Sequence, residues 1–295
     1  MNSANQIVNG APLITTSAFG NYYVNHVQHD YLDVLPSANF TLDVTKNVLL
    51  RVSAAETMSR PDFSALGGTL SISDQTLAGN GGNPNLKPVE AAVFDGAVEW
   101  YYAPSSIAAV SLFYDDFSSY VTYGTTQINL KNQLLSGPTG NVISTYTISS
   151  PFNIPGKLQG IELQVQQPIA WGFGFQANYT YIDSQDSEGH PLVGTSKDTF
   201  NLVGYFENQL ISVRMAYTYR SNFFVGLDRS SLENQDSFGQ LDASVNYNIT
   251  PNLALTLDAK NITDSLLKYY AANRTQPRAV YDNGTQVFFG FRAKF

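Results

Sequence analysis

The chain has 295 residues and 43% apolar side chains, enough for a large core, but only 14% of its residues are charged, well below the usual quarter. A net charge of −8 without any basic stripe excludes a nucleic-acid partner, and the absence of cysteine excludes disulfides and thiolate metal sites. No run approaches the roughly 18 apolar residues of a membrane helix, whereas a barrel of half-apolar strands stays allowed.

Residues 1–30 are polar and rich in Gly and Asn, which predicts a poorly ordered N-terminal segment. Met1–Gly10 has neither the basic start nor the apolar centre of a secretory signal. If the protein is exported, we therefore expect a mature form, a fragment or a misstarted reading frame.

Alternation of apolar and polar residues then predicts about eleven strands, because a period of two places successive side chains on opposite faces. They are 31–44, 48–57, 90–102, 107–121, 157–169, 173–182, 199–206, 210–220, 238–249, 253–261 and 286–295. In the last of them, Val287, Phe289 and Phe291 lie opposite Arg292 and Lys294. Such a strand is expected to have lipid on one side and water on the other.

The connections between these strands alternate between short turns and long polar loops. The long ones are 59–88, 122–156, 183–197, 221–237 and the segment before the last strand. This separation is typical of a transmembrane barrel with its turns in the periplasm. Trp100 and Trp171 lie beside short turns, where an aromatic girdle meets lipid headgroups. A soluble β-sandwich shares the strand period but does not sort its connections by length, and is the less favoured alternative.

Three stretches together resemble the TonB-dependent outer-membrane receptors, over essentially Tyr31 to Phe295. They are Asp33–Pro36 with Arg51–Phe63, then Gly82–Pro88 with Glu99–Tyr102, and finally Asn261–Asp264 with Arg278–Phe295. The resemblance implies an antiparallel barrel of about 22 strands around a plug, of which residues 31–295 are the C-terminal half. The plug, the TonB-contacting box and the first-half strands are not among these residues. Two open edges in lipid would leave backbone groups unpaired, so we expect a fragment or a chain that closes with another.

The function implied by the resemblance is ligand-gated, TonB-coupled nutrient uptake across the Gram-negative outer membrane. The implied partners are outer-membrane lipid, the plug and first-half strands, TonB acting through the plug, the outer-membrane assembly machinery and a small-molecule nutrient. Sequence style favours an oligosaccharide over a ferric siderophore as that nutrient. A passive porin-like channel or a display barrel is the alternative, and no cofactor is expected.

Three groups of candidate residues follow. Charged residues on the inner registers would contact the plug or the ligand path, or simply be solvated: Arg51, Glu99, Glu162, Arg214, Arg220, Asp242, Asp258, Lys260 and Arg292. Loop aromatics would stack on ligand, or form the outer girdle: Tyr120, Tyr123, Phe223, Phe224, Tyr269 and Tyr270. By resemblance, Phe291 and Phe295 belong to the assembly signal at the C-terminus.

Other patterns favour structural roles over chemistry. Pro84, Leu86, Lys87 and Pro88 are expected to set the geometry of the 59–88 loop rather than to bind ligand. The pair His26 and His29 has no third metal ligand, Gly79–Gly82 has no phosphate-loop lysine, and the acids of Asp183–Gly189 fail the EF-hand spacing. Asp115 and Asp116 are predicted on opposite strand faces. With three His in the chain no Ser/His/Asp constellation can be assembled, so no enzyme is predicted.

Overall fold

The computed structural model describes residues 16–17, 20–21, 28, 30–68, 70–136, 140–228 and 231–294. Within these ranges the strands are β1 (Thr16–Ser17), β2 (Gly20–Asn21), β3 (Ser37–Thr45), β4 (Val48–Ser59), β5 (Leu70–Ser73), β6 (Ala78–Gly81), β7 (Val89–Ala103), β8 (Ser106–Lys131), β9 (Ile143–Pro168), β10 (Phe173–Asp186), β11 (Asp198–Glu207), β12 (Ile211–Arg220), β13 (Phe223–Asp228), β14 (Ser231–Gln235), β15 (Phe238–Thr250), β16 (Leu253–Lys260), β17 (Leu267–Ala271), β18 (Pro277–Tyr281) and β19 (Gln286–Ala293). The helices are α1 (Phe63–Leu66) and α2 (Gln133–Ser136). In the described ranges, no helix is both long and apolar enough to cross a membrane.

Eleven strands form one continuous antiparallel sheet, which we call the wall. Its order is β3-β4-β7-β8-β9-β10-β11-β12-β15-β16-β19, so every wall strand lies beside its nearest wall neighbours in sequence. The predicted all-β fold with about eleven barrel strands is confirmed. Among the described residues β3 pairs only with β4 and β19 only with β16, which leaves the ladder open at both edges.

The pairing register gives the wall an apolar face. Leu42, Leu50, Val98, Val110 and Leu163 are successive cross-strand partners along five strands. Many large side chains of this face are exposed, up to 74% for Phe289 and 75% for Phe291. A monomer in water seldom exposes so continuous an apolar surface, and a barrel in lipid does.

The opposite face is mainly polar along the neighbouring rungs. Glu99, Ala109, Gln164, Asn178, Asn201, Thr218 and Gln240 are successive partners from β7 to β15. The two-residue period that predicted the strands therefore also predicted which side chains share a face.

Short turns join the wall strands at one end, and polar side chains shape several of them. Thr45 Oγ1 accepts the N–H of Asn47, and Asn208 Oδ1 accepts the N–H groups of Leu210 and Ile211. Gly172, at φ +86°, completes the turn after Trp171 with the positive φ that glycine tolerates best. Both Trp100 and Trp171 are exposed at this end of the wall.

The long connections at the other end form an ordered layer, which we call the cap. It comprises 59–88, 117–156, 187–197, 221–237 and 261–285. Here the loop predictions were wrong: β8 continues to Lys131, β9 begins at Ile143, and six short strands occupy the other connections. Strands β13, β14, β17 and β18 make a separate four-stranded sheet, and β5 with β6 makes a hairpin beside the wall.

Most of the buried apolar side chains lie in the cap rather than in the wall. They are Leu86, Tyr146, Ile148, Ile154, Leu192, Phe224, Tyr270 and Ala271, against Ala91, Val203 and Ala254 in the wall strands. Hydrogen bonds link the cap segments in sequence: Tyr120 donates to the Val193 carbonyl at 3.0 Å, and the Gly194 N–H donates to the Phe224 carbonyl at 2.8 Å. The cap therefore has a core of its own.

Candidate functional site

The polar face of the wall carries every one of the nine charged residues predicted to line a lumen. The cross-strand pairing register places all of them on the same face of the wall: Arg51, Glu99, Glu162, Arg214, Arg220, Asp242, Asp258, Lys260 and Arg292. That this face surrounds a lumen stays a prediction.

One ion pair on this face is closely hydrogen-bonded. Nε of Arg51 lies 2.8 Å from Oε1 of Glu99, and the Tyr101 hydroxyl donates to Oε2 of the same carboxylate at 2.6 Å. Nearby, Ser53 donates to Asp95 at 2.9 Å. These contacts fix side chains near the short-turn end of β4 and β7.

The middle of the polar face is rich in amide side chains, with Arg214 beside them. A shallow cleft of about 360 Å³ lies over β9 to β12, lined by amides that include Gln164, Gln176, Asn178 and Asn201. The Asn201 amide donates to Asn178 Oδ1 at 2.9 Å. Such a surface can hydrogen-bond a polar solute or a polar protein surface.

A second cleft, of about 340 Å³, combines both charge signs. Arg214, Asp242, Asp258 and Lys260 line it together with Phe288, whose ring centroid lies 5.7 Å from the Lys260 ammonium. Asp242 accepts the Asn261 N–H at 2.9 Å. The mixed charges suit a partner surface that is itself polar.

Arg220 lies where the polar face meets the cap. Its guanidinium stacks over Phe223 at 3.6 Å, Nε donates to Ser196 Oγ at 2.5 Å, and Nη2 donates to the Gly194 carbonyl. In the part of the chain that the structure describes, no carboxylate pairs with this guanidinium. Arg220 therefore presents a positive charge beside an aromatic ring.

The six candidate aromatics do not form one exposed set. Phe224 and Tyr270 are 7% and 9% exposed and belong to the cap core, so the structure corrects their assignment as open loop residues. Tyr120 lies within β8, and burial raises the pKa of its hydroxyl. Tyr123, Phe223 and Tyr269 remain candidates, and a cap cleft of about 400 Å³ combines Tyr123 with Asp62, Ser71 and Asn80.

Residues 14–262 match the family model for the TonB dependent receptor-like β-barrel. The chain belongs to this family. Family members are receptors and transporters of the Gram-negative outer membrane.

Solved structures of TonB-dependent receptors share the fold of this chain at low identity. A mutant ferric enterobactin receptor of Pseudomonas aeruginosa is 19% identical, with a TM-score of 0.65 over 88% of this chain and 40% of its own. The siderophore receptor PirA of Acinetobacter baumannii is 15% identical (TM-score 0.63; 88% and 41%). FpvA of P. aeruginosa, bound to heterologous pyoverdines, is 16% identical (TM-score 0.59; 88% and 33%).

The chain thus spans less than half the length of these solved receptors. A search of curated proteins finds no match.

The receptor motif Gly82–Pro88 is structural here. Asn153 accepts the Lys87 N–H at 2.9 Å and donates to the Lys87 carbonyl at 3.0 Å, while Ser119 donates to the Pro88 carbonyl at 2.7 Å. Leu86 and Pro88 are buried. These contacts hold the start of β7 against β8 and β9, as the structural interpretation of the motif predicted.

Asn261, from another receptor motif, joins three chain segments. Its amide donates to the carbonyls of Ser265 and Gly284, and its Oδ1 accepts the Ser265 N–H at 2.9 Å. Its φ of +53° lies in the left-handed region, which asparagine tolerates better than most residues. Asn261 is buried and closes the cap end of β16.

Sequence reasoning missed Asp74, which anchors the β5–β6 hairpin. Its Oδ1 accepts the Tyr146 hydroxyl at 2.6 Å, and its Oδ2 accepts the N–H groups of Gln133 and Leu134 at 2.8 and 3.1 Å. A single aspartate in a long polar segment has no pattern that would reveal this role.

The remaining predicted patterns have local explanations or lie elsewhere. Asp186 is buried and accepts the N–H groups of Glu188 and His190, so it organises the turn after β10. Asp115 and Asp116 pair with Leu158 and Lys157, on opposite faces as predicted. His26, His29, Phe295 and most of the predicted 1–30 segment lie outside the described residues, whereas Phe291 lies on the exposed apolar face.

Proposed function

We propose that this chain forms part of the wall and the outer cap of a TonB-dependent receptor that imports a nutrient by ligand-gated, energy-coupled transport. The observation that carries the proposal is the two-faced wall, apolar and exposed on one side and polar on the other, where the nine predicted charged residues lie. A barrel wall between lipid and a protein-filled lumen requires this pattern. The short turns then lie in the periplasm and the cap outside the cell.

In this proposal the polar face surrounds a plug. The two shallow clefts, one lined by amides and one by mixed charges, provide hydrogen-bond partners without a deep apolar pocket. Contacts of this kind can be released when TonB pulls on the plug, since exposed ion pairs and amide contacts contribute little individually. The wall residues are therefore proposed as plug or ligand-path contacts.

The substrate we propose is a ferric siderophore. The similar solved receptors carry siderophore names, and they lend the carbohydrate preference no support. Arg220 supplies a cation stacked on Phe223, and its charge has no carboxylate partner among the described residues. An anionic aromatic chelate can use both features, through charge and through ring stacking.

The test is iron uptake by the full receptor in a Gram-negative host without its own siderophore receptors. Radiolabelled iron bound to enterobactin or to pyoverdine should enter only when both the receptor and TonB are present. Arg220→Gln should lower affinity at least about tenfold, whereas Arg51→Gln, far from the cap, should not. Uptake that persists without TonB would point to a passive channel. Binding of malto-oligosaccharides but no ferric siderophore would overturn the substrate assignment.

A further inference from the structure

The upper part of β8 has a free strand edge. From Tyr123 to Lys131 this strand pairs with β9 on one side, whereas on the other side β7 makes its last pair between Glu90 and Ser119. No backbone hydrogen bond joins 123–131 to any described residue outside β9. Within the described part of the chain, one edge of the hairpin formed by the upper parts of β8 and β9 therefore presents unpaired N–H and C=O groups.

The opposite edge of the same hairpin already accepts an added strand. There β6 pairs with β9 in parallel, from Ala78 opposite Thr147 to Asn80 opposite Ser149, and the Thr147 N–H donates to the Leu77 carbonyl at 2.9 Å. Gly79 suits this close approach, because a Cβ at that position would lie 2.9 Å from Cδ1 of Ile148 in β9. The hairpin thus recruits an extended segment through its main chain.

The free edge lacks the usual protection against strand pairing. Proteins guard such edges with charges, proline or bulges. Between Tyr123 and Lys131 the sequence has no proline, its one charge is Lys131 itself, and the bulge of β8 lies earlier, between Phe117 and Tyr120. Thr125, Thr126, Gln127 and Asn129 are exposed. As far as the structure describes the chain, the edge therefore stays open over nine residues, or about 30 Å of strand.

An apolar tip adjoins this edge. Leu134 and Leu135, just beyond Lys131, are 68% and 64% exposed, and Ile143 at the start of β9 is also exposed. A chain that continued along the edge past Lys131 would reach these side chains. The tip adds a contact for apolar side chains to the main-chain row.

We propose that the edge Tyr123–Lys131 is a docking site for an extended polypeptide segment of a protein partner. The occupant adds one strand to the hairpin and places an apolar residue on the Leu134–Leu135 tip. Only an extended backbone offers donors and acceptors that alternate at strand spacing, which selects a polypeptide over a small solute or a lipid. This site is independent of the transport proposed above.

Hydrogen exchange of the full receptor in nanodiscs is the first measurement. Because successive N–H groups of a strand point to opposite edges, alternate amides of 123–131 should exchange fast and the others slowly. Protection of both sets would mean that another part of the receptor covers the edge, and would overturn the proposal.

The second measurement uses linear peptides selected from a phage-displayed library against the same receptor. Selected peptides should slow the fast-exchanging set in 123–131. Of the adjacent variants Thr126→Pro and Gln127→Pro, the one that removes an outward N–H should weaken peptide binding about tenfold and leave the exchange of β9 unchanged. The matched controls Thr126→Ala and Gln127→Ala should retain binding, since the backbone makes the contact.

Leu134→Ser should reduce the affinity of the same peptides by a smaller factor. Three results would contradict the proposal: no peptide selected, selected peptides that leave exchange in 123–131 unchanged, or protection that appears only with receptor self-association. The last would identify the edge as a contact between two copies of the receptor.

Discussion

The wall and the cap use apolar side chains in opposite ways. In the wall, Leu257, Phe289 and Phe291 lie on an exposed face, whereas in the cap Tyr146, Leu192 and Phe224 are buried. The chain itself leaves the apolar surface of the wall uncovered, while the cap covers its own apolar side chains. We therefore expect substitutions in the wall to impair membrane insertion, and substitutions in the cap to cause local opening.

The largest expected effect separates the two faces of the last wall strand. Phe289→Arg places a charge on the apolar face, at a cost of about 2–4 kcal/mol near the bilayer midplane. Phe288→Arg changes the adjacent residue on the polar face, where its cross-strand partner is Asp258. Heat-modifiability on gels should show a marked loss of folded receptor for Phe289→Arg alone. Equal loss for both variants would contradict the assignment of the faces.

In the cap, Asp74→Ala should cause the next largest effect. The substitution leaves the buried Tyr146 hydroxyl and the N–H groups of Gln133 and Leu134 without an acceptor, at a cost of about 3 kcal/mol. Hydrogen exchange should show opening confined to the β8–β9 tip and the β5–β6 hairpin, with the wall unchanged. Asp74→Asn, which keeps one acceptor oxygen, should lose less; a global loss of stability would contradict separate cap and wall behaviour.

Alkaline pH provides a milder test of the same anchor. Burial, followed by the hydrogen bond to Asp74, raises the pKa of Tyr146 from 10.0 to about 12. The neutral hydroxyl is therefore favoured in the folded cap, and its stabilising contribution is complete below pH 10 and is lost between 10 and about 12. Ultraviolet difference spectra should resolve this late tyrosine, and Tyr146→Phe should remove it. Titration of Tyr146 with the exposed tyrosines would count against its burial.

The smallest effects are expected from the solvent-exposed ion pairs of both regions. Arg51→Gln in the wall and Arg274→Gln in the cap each remove a pair whose arginine is at least half exposed, so each should lower the stability only slightly. The Arg274 guanidinium lowers the pKa of Asp236 through its hydrogen bond, so the cap pair weakens in acid as that carboxylate protonates. Denaturant unfolding would measure both. A much larger loss for Arg51→Gln would indicate that a plug buries the wall pair.

Sequence alone predicted the wall because its two faces differ in polarity, and that difference gives its strands a period of two. Alternation identified eleven strands and the common face of residues as distant as Arg51 and Arg292. The predicted strand bounds were too short mainly where β8 and β9 leave the wall. Beyond the wall both faces of Thr122–Asn129 are largely polar, so alternation no longer reveals the strand.

The cap could not be predicted in the same way, because its order comes from contacts between segments distant in the sequence. Asp74 bonds to Tyr146 across 72 positions, and Asn153 bonds to Lys87 across 66. Phe224 and Tyr270 are buried by the four-stranded cap sheet, although each lies in a segment that reads as a polar loop. Patterns within a short window carry no record of such partners.

The odd number of wall strands has a directional consequence. Because eleven strands alternate in direction, β3 and β19 run the same way along the two open edges. If a second copy of this wall closed the barrel, parallel strands would meet at both junctions between the copies. Any segment that completes the cylinder with antiparallel seams must instead begin and end with strands of the opposite direction, and so must itself contribute an odd number. The direction of the edge strands thus limits which segments can close the barrel, whatever their side chains.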